Sequence, residues 1–183
     1  NIFTLESKMI RTIYFGGGCF WCVESIYLKL KGVIDVKPGY MGGSTINPTY
    51  EEVCEGNTNH VEVVKVVFNE SIRLNDLLKV FFSIHDPTTL NRQGADVGTQ
   101  YRSAIFCDLS DRAQIIDFIK RIEKYKIFED NIVTEVNELV EFFEAEDYHH
   151  NYFKNNPENA YCNIVISPKI KNFKEGFRSL ISE

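Results

Sequence analysis

A chain of 183 residues holds enough material for one domain with a proper core and little for two. Its 44% hydrophobic and 25% charged residues lie in the ordinary globular range, and a net charge of −6 gives no reason to expect nucleic acid or an anionic membrane as partner. No apolar run approaches the roughly 20 residues needed to cross a bilayer.

Residues 1–8 precede the first methionine, Met9, and are set aside as an appended remnant, leaving residues 9–183 as a single domain. The N-terminus lacks the basic flank and apolar stretch of a signal peptide, so a monomer in the cytoplasm is expected. Residues 11–15 form a short β-prone run ending in Gly16, Gly17 and Gly18, and residues 19–30 follow a helical pattern stopped by Gly32. A strand is expected over 34–40 and a loop over 42–49, rich in Gly, Ser, Asn and Pro. Residues 60–68, with valine at 61, 63, 64, 66 and 67, read as strand. Asn75 is the expected N-cap of a helix reaching Ile84, closed by the turn His85-Asp86-Pro87. Residues 90–99 read as loop, 103–107 as strand, and Ser110 as the cap of a long amphipathic helix to about Lys126. Residues 132–136 and 139–143 suggest a further strand or pair, followed by a short helix over 148–155. The sum is a mixed α/β domain, a sheet with helices packed on it.

The most informative stretch is Gly16-Gly17-Gly18-Cys19-Phe20-Trp21-Cys22. It delivers Cys19 to the first turn of a helix, where free N–H groups and the helix dipole favour an anion and lower a thiol pKa. Cys22 shares that helical face at about 5–6 Å between Cβ atoms. A disulfide needs about 3.5–4.5 Å, so the pair bridges with modest adjustment. The five cysteines (Cys19, Cys22, Cys54, Cys107 and Cys162) are an odd count at irregular spacing, a poor disulfide framework. In a reducing compartment that leaves a catalytic or metal-binding thiol. A buried filler is the plain alternative for Cys19. Zinc is poorly supported, because no second C-x-x-C or H-x-x-H follows and His149 and His150 are adjacent.

The segment GGGCFWCVE resembles the signature of the methionine sulfoxide reductase A family, whose motif is Gly-Cys-Phe-Trp. Three further blocks, GYMGGSTINPTYEEVCEGNTNHVEVVKVVF, HDPTTLNRQGADVGTQYRSAIF and AEDYHHNYFKNNP, are similar to the same family in order and spacing. The resemblance covers most of the chain from about residue 11 to residue 168. The resemblance implies an α+β two-layer sandwich around a mixed sheet with a ferredoxin-like core. It implies a nucleophile at Cys19, a methyl-binding pocket at Phe20 and Trp21, and a catalytic carboxylate at Glu62. A supporting carboxylate falls on Asp96 and two oxygen-binding tyrosines on Tyr50 and Tyr101. Also implied are oxidised proteins and peptides as substrate, selectivity for the S epimer at sulfur, no metal or organic cofactor, and recycling by thioredoxin.

The chemistry asks for such residues. Sulfoxide sulfur is electrophilic, but its oxygen leaves badly unless protonated, so a thiolate, a proton donor and hydrogen bonds to oxygen are needed together. In a strand, Glu62 shares a face with Val64, Val66 and Phe68, which desolvates the carboxyl and raises its pKa. Tyr50 and Tyr101 offer phenolic donors; Phe20 and Trp21 offer rings to a sulfur-bound methyl. The sulfenic acid formed on Cys19 then condenses with a resolving thiol. The resemblance favours Cys162, at the place where many family members carry a resolving cysteine on a mobile C-terminal stretch, with Cys22 as the alternative and a relay through both also open; Cys54 and Cys107 read as structural residues in β-prone or strand-adjacent segments. A thioredoxin-like oxidoreductase would need the C-x-x-C pair but neither Glu62 nor the tyrosines, and a binding module would survive Cys19→Ser.

Overall fold

The structure, a computed structural model, describes residues 9–182; the remnant read at residues 1–8 lies outside them. In chain order the main elements are β1 (Arg11–Gly16), α1 (Phe20–Tyr27), β2 (Val33–Met41), α2 (Tyr50–Cys54), β3 (Val61–Phe68) and α3 (Leu74–Ile84). There follow the two-residue strands β4 (Arg92–Gln93) and β5 (Asp96–Val97), then β6 (Ala104–Cys107) and α4 (Leu109–Lys124). The chain closes with β7 (Glu135–Glu138), β8 (Phe143–Glu144), α5 (Tyr152–Asn155) and α6 (Ser167–Gly176).

The valine-rich run becomes β3, and its position explains its composition. It is hydrogen-bonded antiparallel to β1 on one side and β2 on the other. Val64, Val66 and Phe68 join the main core beneath the helices, while Val61 and Val63 pack with Met41, Ala104 and Phe106 on the opposite face. A strand covered on both faces reads as continuous hydrophobic sequence. The sheet order is β7-β6-β1-β3-β2-β8. Its β6–β7 pair is parallel and the others antiparallel, which makes the sheet mixed. Within it, β1-α1-β2-β3-α3-β6 traces the β-α-β-β-α-β path of a ferredoxin-like core. This is the two-layer architecture expected from the sequence.

Several boundaries differ. Helix α3 takes Arg73 as N-cap instead of Asn75, because Asp76 reaches back to it. The Asp76 carboxylate accepts the Arg73 backbone N–H at 3.4 Å and its guanidinium at 3.1 Å. Asn75 instead accepts from Gln114 at 3.0 Å. Helix α4 is capped by Asp108, leaving Ser110 inside its first turn. The strands expected at 132–136 and 139–143 shift to β7 and β8, edge strands whose half-exposed side chains give little alternation to read. The helix expected over 148–155 is split into a 3-10 turn, Asp147–His149, and α5, with Asn151 between them at φ +53°.

Two helices were not anticipated. Thr49 caps α2 by accepting the Glu52 N–H at 3.2 Å, while Glu52 accepts the Thr49 N–H at 3.4 Å. At the C-terminus, one π-helical turn, Cys162–Ile166, runs into α6. Pro168 lacks an N–H to continue the i→i−4 ladder, and the wider turn before it accommodates that break. Ile166, Ile170 and Phe173 seat this segment in the core.

Candidate active site

The turn between β1 and α1 is built around Gly18, at φ +88°. A Cβ there would lie 2.7 Å from the Gln93 side chain, so only glycine fits. Gln93 is itself fixed, accepting the Asp86 N–H and donating to the Asp86 carbonyl, both at 2.8 Å. The loop of residues 86–98 is thereby locked against the glycine turn. Cys19 emerges from it as N-cap of α1.

Glu62 stands opposite Tyr40 in the β2–β3 ladder, on the face covered by α1. It is 2% exposed. Its Oε1 accepts the Phe20 N–H at 3.3 Å, while its Oε2 is buried without a partner among the described residues. Burial pushes the carboxyl up to about 8; the Phe20 N–H opposes that rise and the Asp96 charge adds to it. At neutral pH this group is largely a carboxylic acid, one oxygen anchored and the other free to present a proton.

Cys19 departs from expectation. The helix start was expected to lower its pKa, and the Trp21 N–H does pull in that direction, but burial and then Glu62 outweigh it and hold the thiol well above its ordinary value. A dipole equivalent to about half a charge does not offset that desolvation. The resting sulfur keeps its proton.

A cavity of about 120 Å³ opens at Cys19, its walls including Cys22, Gln93, Asp96, Tyr161 and Lys169, while Glu62, Phe20, Trp21, Tyr50 and Tyr101 lie outside its lining. Asp96 accepts the Tyr161 hydroxyl at 2.7 Å. Phe20 is buried against Tyr40, with ring centres 5.7 Å apart. Trp21, half-buried, stacks on Tyr152 at 3.7 Å and 7° and meets Tyr161 edge-on at 6.0 Å. Tyr50 opens α2 and Tyr101 closes a 3-10 turn. Both phenols are raised first by burial, and Glu62 adds to both shifts. Glu146 steadies this side, accepting the Tyr50 N–H at 3.1 Å and the Tyr40 hydroxyl at 3.0 Å.

Sequence reasoning did not single out Tyr40, Glu146, His149 as a site neighbour, or Tyr161. Glu146 and His149 lay in a quoted block, and Tyr161 adjoins Cys162, but nothing in their spacing indicated direction. The two candidate resolving thiols are placed differently. Cys22 is 4% exposed, lines the Cys19 cavity, and is raised to about 11 by burial. Cys162 sits at the start of the π turn, buried in the main core and absent from that cavity's lining. It therefore belongs to packed helix, not to an irregular stretch. Cys107 is buried in β6, whereas Cys54 is exposed on α2, which corrects its expected strand-adjacent setting. All five are free thiols. Among the described residues no cluster of His, Cys, Asp and Glu is arranged to hold a metal ion, and no helix is long and apolar enough to cross a membrane.

The same chain matches the family described as peptide methionine sulfoxide reductase over residues 11–180. It is 49% identical over 176 residues to the peptide methionine sulfoxide reductase MsrA of Trichodesmium erythraeum, covering 95% of this chain and 99% of the relative. To that of Psychrobacter cryohalolentis it is 51% identical over 169 residues, covering 92% and 96%. Its fold is similar to Mxr1 from Saccharomyces cerevisiae in reduced form, with a TM-score of 0.79 at 34% identity over 86% of this chain and 91% of that one. Methionine sulfoxide reductase A of Corynebacterium diphtheriae gives 0.78 at 35% identity, covering 82% and 76%. With the cysteine turn, the buried acid and the tyrosines all falling inside the matched span, the chain belongs to the peptide methionine sulfoxide reductase family.

Proposed function

We propose that this chain reduces methionine S-sulfoxide in oxidised proteins and peptides, with Cys19 as nucleophile and Glu62 as proton donor. The observation that carries this reading is the buried Glu62 carboxyl, whose Oε2 has no partner among the described residues and whose Oε1 is tied to the residue after Cys19. An acid so held protonates the departing oxygen of a substrate whose sulfur faces Cys19.

In this mechanism the sulfoxide oxygen takes hydrogen bonds from Tyr50 and Tyr101 and the proton of Glu62, which makes the sulfur electrophilic. Cys19 Sγ attacks the sulfur and forms a transient Sγ–S bond; the oxygen then passes from the methionine sulfur to Sγ, so that the sulfur–oxygen bond of the substrate and the Sγ–S bond both break and the oxygen ends on Cys19 as a sulfenic acid. Methionine sulfur is reduced by two electrons and Cys19 oxidised by two. The thiol proton of Cys19 stays with the transferred oxygen, and the proton lent by Glu62 returns to it. Phe20 and Trp21 enclose the S-methyl group, and Asp96, bonded to Tyr161, shapes the cavity wall.

A second thiol then attacks the sulfenic acid, forming a disulfide and releasing water. Cys22 suits this step because it shares the cavity with Cys19, whereas Cys162 must first leave the core. A thioredoxin-class dithiol then reduces the disulfide, completing the cycle of a monomeric, cytoplasmic repair enzyme.

The test is incubation of freshly reduced protein with dithiothreitol and a racemic methionine sulfoxide peptide, the epimers resolved by chromatography. Loss of the S epimer alone, abolished in Cys19→Ser, is expected. Consumption of neither epimer, or turnover surviving Cys19→Ser, overturns the reading.

A further inference from the structure

The proposed mechanism leaves unused a fully buried histidine at the centre of an aromatic cluster. His149 is 0% exposed. Its Nδ1 lies 2.9 Å from Trp21 Nε1. Its ring centre is 4.5 Å from that of Tyr50, 5.0 Å from Phe20 and 5.8 Å from Trp21. It thus touches three of the side chains read as substrate contacts, which like His149 itself lie outside the lining of the Cys19 cavity.

The indole nitrogen only donates, so the Nδ1 facing it must carry the lone pair and the ring proton must sit on Nε2. Nε2 is buried without a partner among the described residues, so this tautomer leaves a donor unmet. The ring is turned to serve the tryptophan. Burial also pushes the histidine below its ordinary pKa, which keeps the accepting nitrogen unprotonated at neutral pH.

We infer that His149 is a positioning residue: by accepting the Trp21 N–H it fixes the indole in the orientation that fits a methyl, and not a larger alkyl group, on the sulfoxide sulfur. The inference rests on the reading of Trp21 as a wall of the methyl pocket. Stacking on Tyr152 fixes the plane of the indole but leaves sliding within it free, and the directional bond to Nδ1 removes that freedom.

Trp21 is the chain's single tryptophan, so the test has a spectroscopic handle. In the wild-type ¹⁵N-labelled protein the one indole N–H resonance is expected downfield, with slow exchange. His149→Phe keeps a ring and removes the acceptor; His149→Asn returns an acceptor oxygen near the Nδ1 position. The ratio of kcat/KM for S-methyl over S-ethyl sulfoxide peptides is expected to fall roughly fivefold in His149→Phe, the effect of one neutral hydrogen bond, and to recover in His149→Asn. A wild-type indole N–H that exchanges like that of free tryptophan overturns the inference, as does an unchanged ratio in His149→Phe. Trp21→Phe, measured alongside, separates the two claims. If it lowers the ratio while His149→Phe does not, only the positioning role fails; if it too leaves the ratio unchanged, the methyl-pocket reading fails with it.

Discussion

Replacing Glu62 by glutamine should cripple the enzyme and stabilise its fold, and the two effects have one origin. In the native protein the carboxyl holds its proton up to about 8, against an ordinary value of 4.5. The unfolded chain ionises at the ordinary value, so between the two the folded state carries a cost that the unfolded state escapes. The sign follows: a carboxyl raised on folding contributes full stability below its unfolded pKa and loses it as pH climbs towards its folded one. At about 1.4 kcal/mol per unit, the cost reaches on the order of 3 kcal/mol at pH 7 and about 4–5 kcal/mol by pH 8. Glutamine never ionises, and its oxygen can still accept the Phe20 N–H. Urea unfolding of both proteins under reducing conditions, at pH 5 and pH 8, measures the difference. The variant should gain several kcal/mol over wild type at pH 8 and far less at pH 5, while single-turnover reduction falls by about 10²–10⁴-fold for want of the acid. A stability difference that does not grow with pH refutes the buried-acid argument. Retained turnover refutes the assignment of the acid.

The same ionisation predicts that wild-type kcat/KM declines as pH rises through about 8, and the decline should vanish in Glu62→Gln, whose residual rate is read over the same range. Cys22→Ser should leave the first turnover intact but stop thioredoxin-supported cycling, whereas Cys162→Ala should cycle; stoichiometric product against multiple-turnover assays decides, and the reverse pattern transfers the resolving role to Cys162. Gly18→Ala meets both a left-handed backbone and the Gln93 side chain at 2.7 Å, so a loss of about 1–3 kcal/mol is expected in thermal unfolding; an unchanged midpoint would remove Gly18 from the account of the turn.

How much of this could be read beforehand depends on range. The near-continuous valine content of residues 60–68 reports burial on both faces, and it identifies the strand that carries Glu62. The glycines before Cys19 report a tight turn, and the turn is there. The pKa of Cys19 was misjudged because sequence shows the helix start, which lowers it, and hides the packed surroundings, which raise it more. Asn75 and Ser110 are good capping residue types, yet Arg73 and Asp108 hold the N-cap positions, at α3 through a side chain reaching back from the first turn. Tyr161, Glu146 and His149 act across distances of up to 128 residues in the chain, as in the Trp21–His149 bond, and no local pattern encodes such pairings. The placement of Cys162 is the clearest case. The family resemblance suggests a mobile stretch there, but Ile166, Ile170 and Phe173 beyond it fold that segment onto the core.

Glu62 hangs from the one strand of the ferredoxin-like core that has long partners on both sides, and the Phe20 amide ties Cys19's helix to it. Amide protons of β3 and of Phe20 should therefore be among the last to exchange with solvent, released only by global unfolding. Tyr161 and Lys169, from the terminal segment that runs into α6, wall the cavity beside Cys19 and Cys22, and Ile166, Ile170 and Phe173 hold that segment in the same core as β3. The wall of the site and its acid thus share one core, and exchange of α6 amides should follow that of β3.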